Sequence, residues 1–177
     1  DRPPLEGGIH LGRVTRAEPS LNGAFVALAE GQDGFLRGAK GLHEGQAVVV
    51  QVTREPSGGK GPTVTGRPTL LGRYVALTPG GSGASTSKRL GSGRRRAQLE
   101  ALAERICAEG EGGLALRGAA AFAEDHEIAA EAARLREEWR SIEEMASQCE
   151  APAYLVRPPG LPTRVLRDGE GGRGIID

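Results

Sequence analysis

Short alternations of apolar and polar positions, broken by glycines, run through the first part of the chain. They predict strands at residues 9–15, 23–29, 34–37, 46–54 and 61–77. The run Ala47-Val-Val-Val-Gln-Val-Thr53 is β-branched enough for a buried strand, and Gly41 to Gly45 ahead of it reads as a turn. Pro56-Ser-Gly-Gly-Lys-Gly61 breaks the last two strands apart. Five short strands at this spacing predict a small closed barrel over residues 1–78. The period then changes. Residues 79–93 have linker composition and predict a boundary. Beyond it, Leu99, Leu102 and Ile106 share one face of a helix over 94–108, and a strand is predicted at 113–117. A long amphipathic helix follows over 125–148, with Asp125 as its cap and Ile128, Ala132, Leu135, Trp139, Ile142 and Ala146 recurring at four- and three-residue steps. Strands are expected again at 153–157, 163–167 and 174–177. The chain stops inside that last apolar run, which predicts more protein after Asp177.

Charge adds an asymmetry that the net value of zero conceals. Residues 1–96 carry 14 Lys/Arg against 7 Asp/Glu, and residues 97–177 carry 9 against 16. The first part is suited to an anionic partner, and the acidity of the second comes largely from the outer face of the long helix. No stretch approaches the roughly 20 apolar residues of a membrane span, and the opening residues lack a signal-peptide order. No membrane association and a cytoplasmic protein are expected. Cys107 and Cys149 lack any CxxC spacing and are expected in the core as small hydrophobes.

Few residues offer chemistry. His10, His43 and His126 form no metal-binding spacing, no nucleophile elbow or phosphate loop is present, and Glu124-Asp125 at a helix start reads as capping. No catalytic and no metal-binding residues are assigned. Phe25 and Phe35 stand out because they fall in adjacent predicted strands. If Ala24 and Val26 face the barrel interior, Phe25 faces out, where an aromatic ring is a platform for a nucleobase. The alternative is that either ring is core. Around them lie Arg13, Arg16, Arg37, Lys40, Arg54 and Lys60, charge suited to a phosphate backbone. A second basic group, Lys88, Arg89, Arg94, Arg95 and Arg96, has no acid between Gly81 and Leu99 and reads either as a phosphate contact or as a flexible basic linker.

The order and spacing of Gly12-Arg-Val-Thr-Arg-Ala-Glu-Pro-Ser-Leu-Asn-Gly-Ala-Phe-Val26, Gly34-Phe-Leu36, Glu44-Gly-Gln-Ala-Val-Val-Val-Gln-Val52 and Gly59-Lys-Gly61 resemble the S1-type RNA-binding domain of ribonucleases E and G. The likeness continues through Ser87-Lys-Arg89, Gly112-Gly-Leu-Ala-Leu-Arg117, the helix with Leu135 and Trp139, and Ala151-Pro-Ala-Tyr-Leu155, covering nearly the whole chain. The resemblance implies an α+β protein: a five-stranded S1-type oligonucleotide-binding barrel (1–78), a small α/β region like a 5′-end sensor (79–150), and part of an RNase H-like sheet (151–177). It implies single-stranded RNA as partner, with Phe25, Phe35, Lys60, Arg13, Arg16, Arg37, Lys88 and Arg89 at the RNA and Arg117 at a 5′ phosphate. It places the magnesium-dependent endoribonuclease centre outside this chain, and leaves room for a homo-oligomer built through regions outside it. The family pairs that arginine with a threonine, whereas Gly118 follows Arg117 here, and Ala119-Ala-Ala-Phe-Ala123 replaces a Gly-Val-Gly-type loop. Weakened 5′-end sensing is the expectation. Three readings follow: part of an endoribonuclease for RNA processing or decay, a paralogue that binds RNA or protein without cleavage, or a structural or protein-interaction module, which fits the acidic helix 125–148 but leaves Phe25, Phe35 and Lys60 unexplained.

Overall fold

The computed structural model describes residues 3–38 and 40–159, and β1 (Ile9–Glu18) is the strand on which its first unit turns. Its first half pairs antiparallel with β4 (Ala47–Arg54), and its second half with β2 (Gly23–Ala27). β2 pairs with β3 (Asp33–Arg37), β3 runs parallel to β5 (Thr63–Thr65), and β5 pairs back onto β4. The order β1-β2-β3-β5-β4, with β1 also joined to β4, closes a five-stranded barrel. Closure satisfies the edge N–H and C=O groups that an open sheet leaves bare. Alternate residues fill it: Val14, Ala24, Val26, Leu36, Val50 and Val64 are buried together. Leu5 joins this core, its N–H and that of Glu6 donating to the Glu55 carboxylate at 2.9 and 2.8 Å.

The stretch 61–77, expected as one strand, forms three: β5, β6 (Leu70–Leu71) and β7 (Val75–Thr78). Gly66 and Pro68 interrupt it, since proline has no N–H for a ladder. Only β5 belongs to the barrel. β6 and β7 enter a second sheet of order β6-β7-β9-β8, where β8 is Ala84–Thr86 and β9 is Gly113–Leu116. β8 lies within the stretch of linker composition. Its parallel pairing with β9 supplies the ladder that its own residues do not announce. The chain thus divides at Gly66 and Arg67, where linker composition had pointed to 79–93, and the second unit runs from Arg67 to Gln148.

The two helices of that unit are α1 (Gly93–Ala108) and α2 (Asp125–Gln148), within a residue of their expected limits. Leu99, Leu102, Ala103 and Ile106 bury one face of α1, which packs on β8 and β9. Ile128, Ala132, Leu135 and Ile142 bury a stripe of α2 against β7 and β6, with Trp139 and Ala146 half-buried. Asp125 is not the cap of α2. The Glu127 carboxylate reaches back to the Glu124 N–H at 2.9 Å, and Asp125 pairs with Arg95 instead. Glu131, one of the acidic residues expected on the outer face, is buried: its carboxylate accepts from the N–H groups of Arg73, Tyr74 and Val75 at 2.6–2.8 Å, tying α2 to the turn between β6 and β7. Both cysteines were expected in the core; Cys107 is half-buried and Cys149 is exposed, because it lies beyond the last buried turn of α2.

β10 (Ala153–Val156) returns to the first unit, pairing antiparallel with Ile9–Leu11 of β1 beside the barrel. The strands expected at 163–167 and 174–177 lie outside the described residues. None of the described helices is long and apolar enough to cross a membrane.

Candidate nucleic-acid interface

The outer face of the barrel carries one continuous cross-strand row. In register from β1 to β4 it reads Arg16, Phe25, Phe35, Thr63 and Arg54. The two rings are each flanked along their own strand by buried residues, Ala24 and Val26 beside Phe25 and Gly34 and Leu36 beside Phe35. The register predicted from alternation is the one observed. The rings are half-buried at the surface and meet edge to face, centroids 5.3 Å apart, a geometry worth about 0.5–1.5 kcal/mol beyond area. Arg16 lies over Phe25 at 4.8 Å and Arg37 over Phe35 at 6.0 Å, so each ring has a cation beside it. The Arg16 Nε is also held by Glu18 at 2.6 Å, which tempers its charge.

One glycine makes this packing feasible. A Cβ on Gly23 would stand 2.4 Å from the tip of the Phe35 ring and 2.5 Å from the Leu36 carbonyl, so the ring lies directly on bare backbone. Lys60 is set by different means. Ser57 and Lys60 exchange both backbone hydrogen bonds around Gly58 and Gly59, whose φ values of 57° and 80° fit the tight primed turn of a hairpin. That turn fixes Arg54 opposite Thr63 and leaves Lys60 exposed at the tip of the β4–β5 hairpin.

The remaining expected residues fall differently. Arg13 is half-buried and donates to the carbonyls of Gly45 and Ala151 at 2.8 and 3.0 Å, so its guanidinium binds protein backbone. Lys40 is exposed. Lys88, Arg89 and Arg117 belong to the second unit. Lys88 and Arg89 are exposed on a single turn capped by the Ser87 hydroxyl, and Arg117 is exposed at the end of β9 with Nη1 donating to the Gly72 carbonyl. Arg89 and Arg117 are neighbours: a Cβ on Gly118 would stand 3.3 Å from the Arg89 Cβ. Arg95 and Arg96, read with the basic linker, are structural. Arg95 holds the Ala123 carbonyl and Asp125, and Arg96 holds the Ser87 and Gly91 carbonyls, Thr86 and Glu100.

Sequence reasoning did not assign Thr63 to the face, and gave Arg54 only as one of the basic residues around the rings. Only the hairpin register, which the Ser57–Lys60 turn sets, brings them into line with the rings. His10 was also missed. It is fully buried on β1, its Nδ1 accepts from the Ala29 N–H at 3.1 Å, and its ring lies 4.3 Å from that of Tyr154. Burial lowers its pKa from 6.5 to about 4, with Glu30 opposing and Arg157 adding to the shift. Among the described residues, no three His, Cys, Asp or Glu side chains gather closely enough to hold a metal ion.

Residues 69–172 match the sequence profile of the Ribonuclease E/G family. Among curated proteins the chain is 37% identical to a ribonuclease E of a Nostoc species over 97% of its own length, and 34% identical to a ribonuclease G of Haemophilus influenzae over 93%. A ribonuclease G of Escherichia coli is 30% identical over 93%. These matches include the barrel as well as the second unit. The chain spans 28% of the Nostoc protein and 38% of each of the other two.

Proposed function

Because this chain belongs to the ribonuclease E/G family, we propose that it is an RNA-binding part of an endoribonuclease acting in RNA processing or decay. In this reading the barrel is an S1-type oligonucleotide-binding fold. The observation that carries it is the row Arg16–Phe25–Phe35–Thr63–Arg54, with Lys60 exposed at the tip of the β4–β5 hairpin. Two adjacent rings offer platforms that any base can use, and cations at both ends of the row match a phosphate backbone on either side of the stacked bases. The barrel order β1-β2-β3-β5-β4 supports the fold assignment. The RNase H-like reading of residues 151–177 rests on the resemblance alone.

The magnesium implied by the family finds no site among the described residues, where no three His, Cys, Asp or Glu side chains gather to hold a metal ion. On the second unit, Arg117 is the residue that the resemblance implies at a 5′ phosphate, and Lys88 and Arg89, also exposed, are those it implies at the RNA. A second reading, a paralogue that binds RNA without cleaving it, draws on Gly118, which removes the hydroxyl donor next to Arg117.

Fluorescence anisotropy with a single-stranded RNA oligonucleotide tests the proposal. Binding at about micromolar affinity should weaken steeply between about 50 and 200 mM salt. Phe25→Ala or Phe35→Ala should each weaken it by about five-fold to a hundred-fold, the equivalent of ~1–3 kcal/mol per stacked base. No binding, salt-independent binding, or unchanged binding by both variants would refute it.

A further inference from the structure

Phe122, in the loop between β9 and α2, is 94% exposed, more than any other large apolar side chain among the described residues. A single exposed ring needs no explanation by itself. Two features set this one apart.

The first is that its loop is rigidly held. The Arg117 N–H donates to the Tyr74 carbonyl at 2.7 Å, and the chain then closes two successive turns, Ala120 N–H to Arg117 and Ala123 N–H to Ala120, at 2.9 and 3.2 Å. Arg95 clamps the Ala123 carbonyl at 2.9 Å. The Phe122 backbone is thus preorganised with its ring outside the core, which lowers the entropy cost of a contact made there. The second is its surroundings. Arg117 lies about 10 Å away along the one and a half turns of 3₁₀ helix, at ~2 Å per residue. Arg89 packs beside Gly118, and Lys88 precedes it. Among the described residues none of Lys88, Arg89 and Arg117 is in an ion pair, and of the acids next in sequence Asp125 is neutralised by Arg95, leaving Glu124.

One flat exposed ring on the same short loop as Arg117, a cation in no ion pair among the described residues, suits a planar group carried on an anion. A protein partner would need a broader apolar patch to bury. We infer that Phe122 is a stacking platform for one nucleobase of a bound RNA, adjoining a phosphate held by Arg117 and Arg89. This rests on the RNA-binding reading above and adds to it a base-contacting residue on the second unit. Stacking at a single ring tolerates all four bases but requires that a base be present.

The test uses the 177-residue chain and a set of single-stranded RNA oligonucleotides in which one abasic residue is moved along the strand. For the wild type, base removal at one particular position should weaken binding about five-fold or more. Phe122→Ala should weaken binding of the intact RNA by a similar factor and abolish the sensitivity at that position, while Phe122→Trp retains both. The ring is almost wholly exposed, so the alanine variant should melt with the wild type. If Phe122→Ala binds every oligonucleotide as the wild type does, the inference falls. When Phe35→Ala still weakens binding in the same series, only the Phe122 inference has failed. Absence of any RNA binding by the wild type overturns the underlying reading and this inference with it.

Discussion

Lowering the pH from 7 towards 4 should destabilise the barrel through one residue, His10. The imidazole is 1% exposed and accepts a hydrogen bond from the Ala29 N–H, so the neutral ring is held with its proton on Nε2. That Nε2 has no acceptor among the described residues, and charging the ring would also forfeit the Ala29 bond. Burial is the main cause of a folded-state pKa of about 4, against 6.5 for the ordinary group. Between these values the unfolded chain binds a proton that the folded chain refuses, so stability must fall as pH falls through that window. The contribution is fully present above pH 6.5 and exhausted near pH 4. At ~1.4 kcal/mol per pH unit, the gap amounts to about 3 kcal/mol. Urea unfolding followed through barrel amide resonances, at pH values between 7 and 4, measures it. Trp139, the only tryptophan, lies in the other unit and does not report on this one. Carboxylates titrate in the same range, so the decisive quantity is the difference between the wild type and His10→Gln, which keeps an acceptor but cannot charge. A parallel pH dependence in both proteins, or an imidazole resonance of His10 that titrates near 6.5, would refute the reasoning.

Four further outcomes follow. Glu131→Ala should cost about 3 kcal/mol in the second unit by thermal or urea unfolding, because three consecutive N–H groups lose their shared acceptor. Gly23→Ala should weaken RNA binding at least as much as Phe35→Ala, since the new methyl would occupy the place of the Phe35 ring; anisotropy on the folded variant checks this. The chain should prefer 5′-monophosphorylated over 5′-hydroxyl RNA by less than about ten-fold, ~1.4 kcal/mol. Gly118→Thr should not fully restore a preference in a competition assay, because residues 119–123 also differ from the family loop.

How much was legible depended on the range of the interactions involved. Helix α2 was readable to its ends because its stripe of Ile128, Ala132, Leu135 and Ile142 repeats within the helix itself, and the strands of the barrel were readable wherever alternation was unbroken. The outward direction of Phe25 followed from the same local rule. The family motif, too, is a property of the sequence. What the residues could not announce was every feature whose partner lies far away in the chain. β8 became a strand because β9 offered it a ladder, and β10 joined β1 across nearly the whole sequence. Arg13 looked like one more basic residue near the rings until the fold brought the Gly45 and Ala151 carbonyls to it. Glu131 looked like an outer-face charge until the turn at Arg73–Val75 presented its N–H groups. Local periodicity determines which face a side chain takes, but only the tertiary structure decides what stands opposite it, and for polar side chains that partner decides the role.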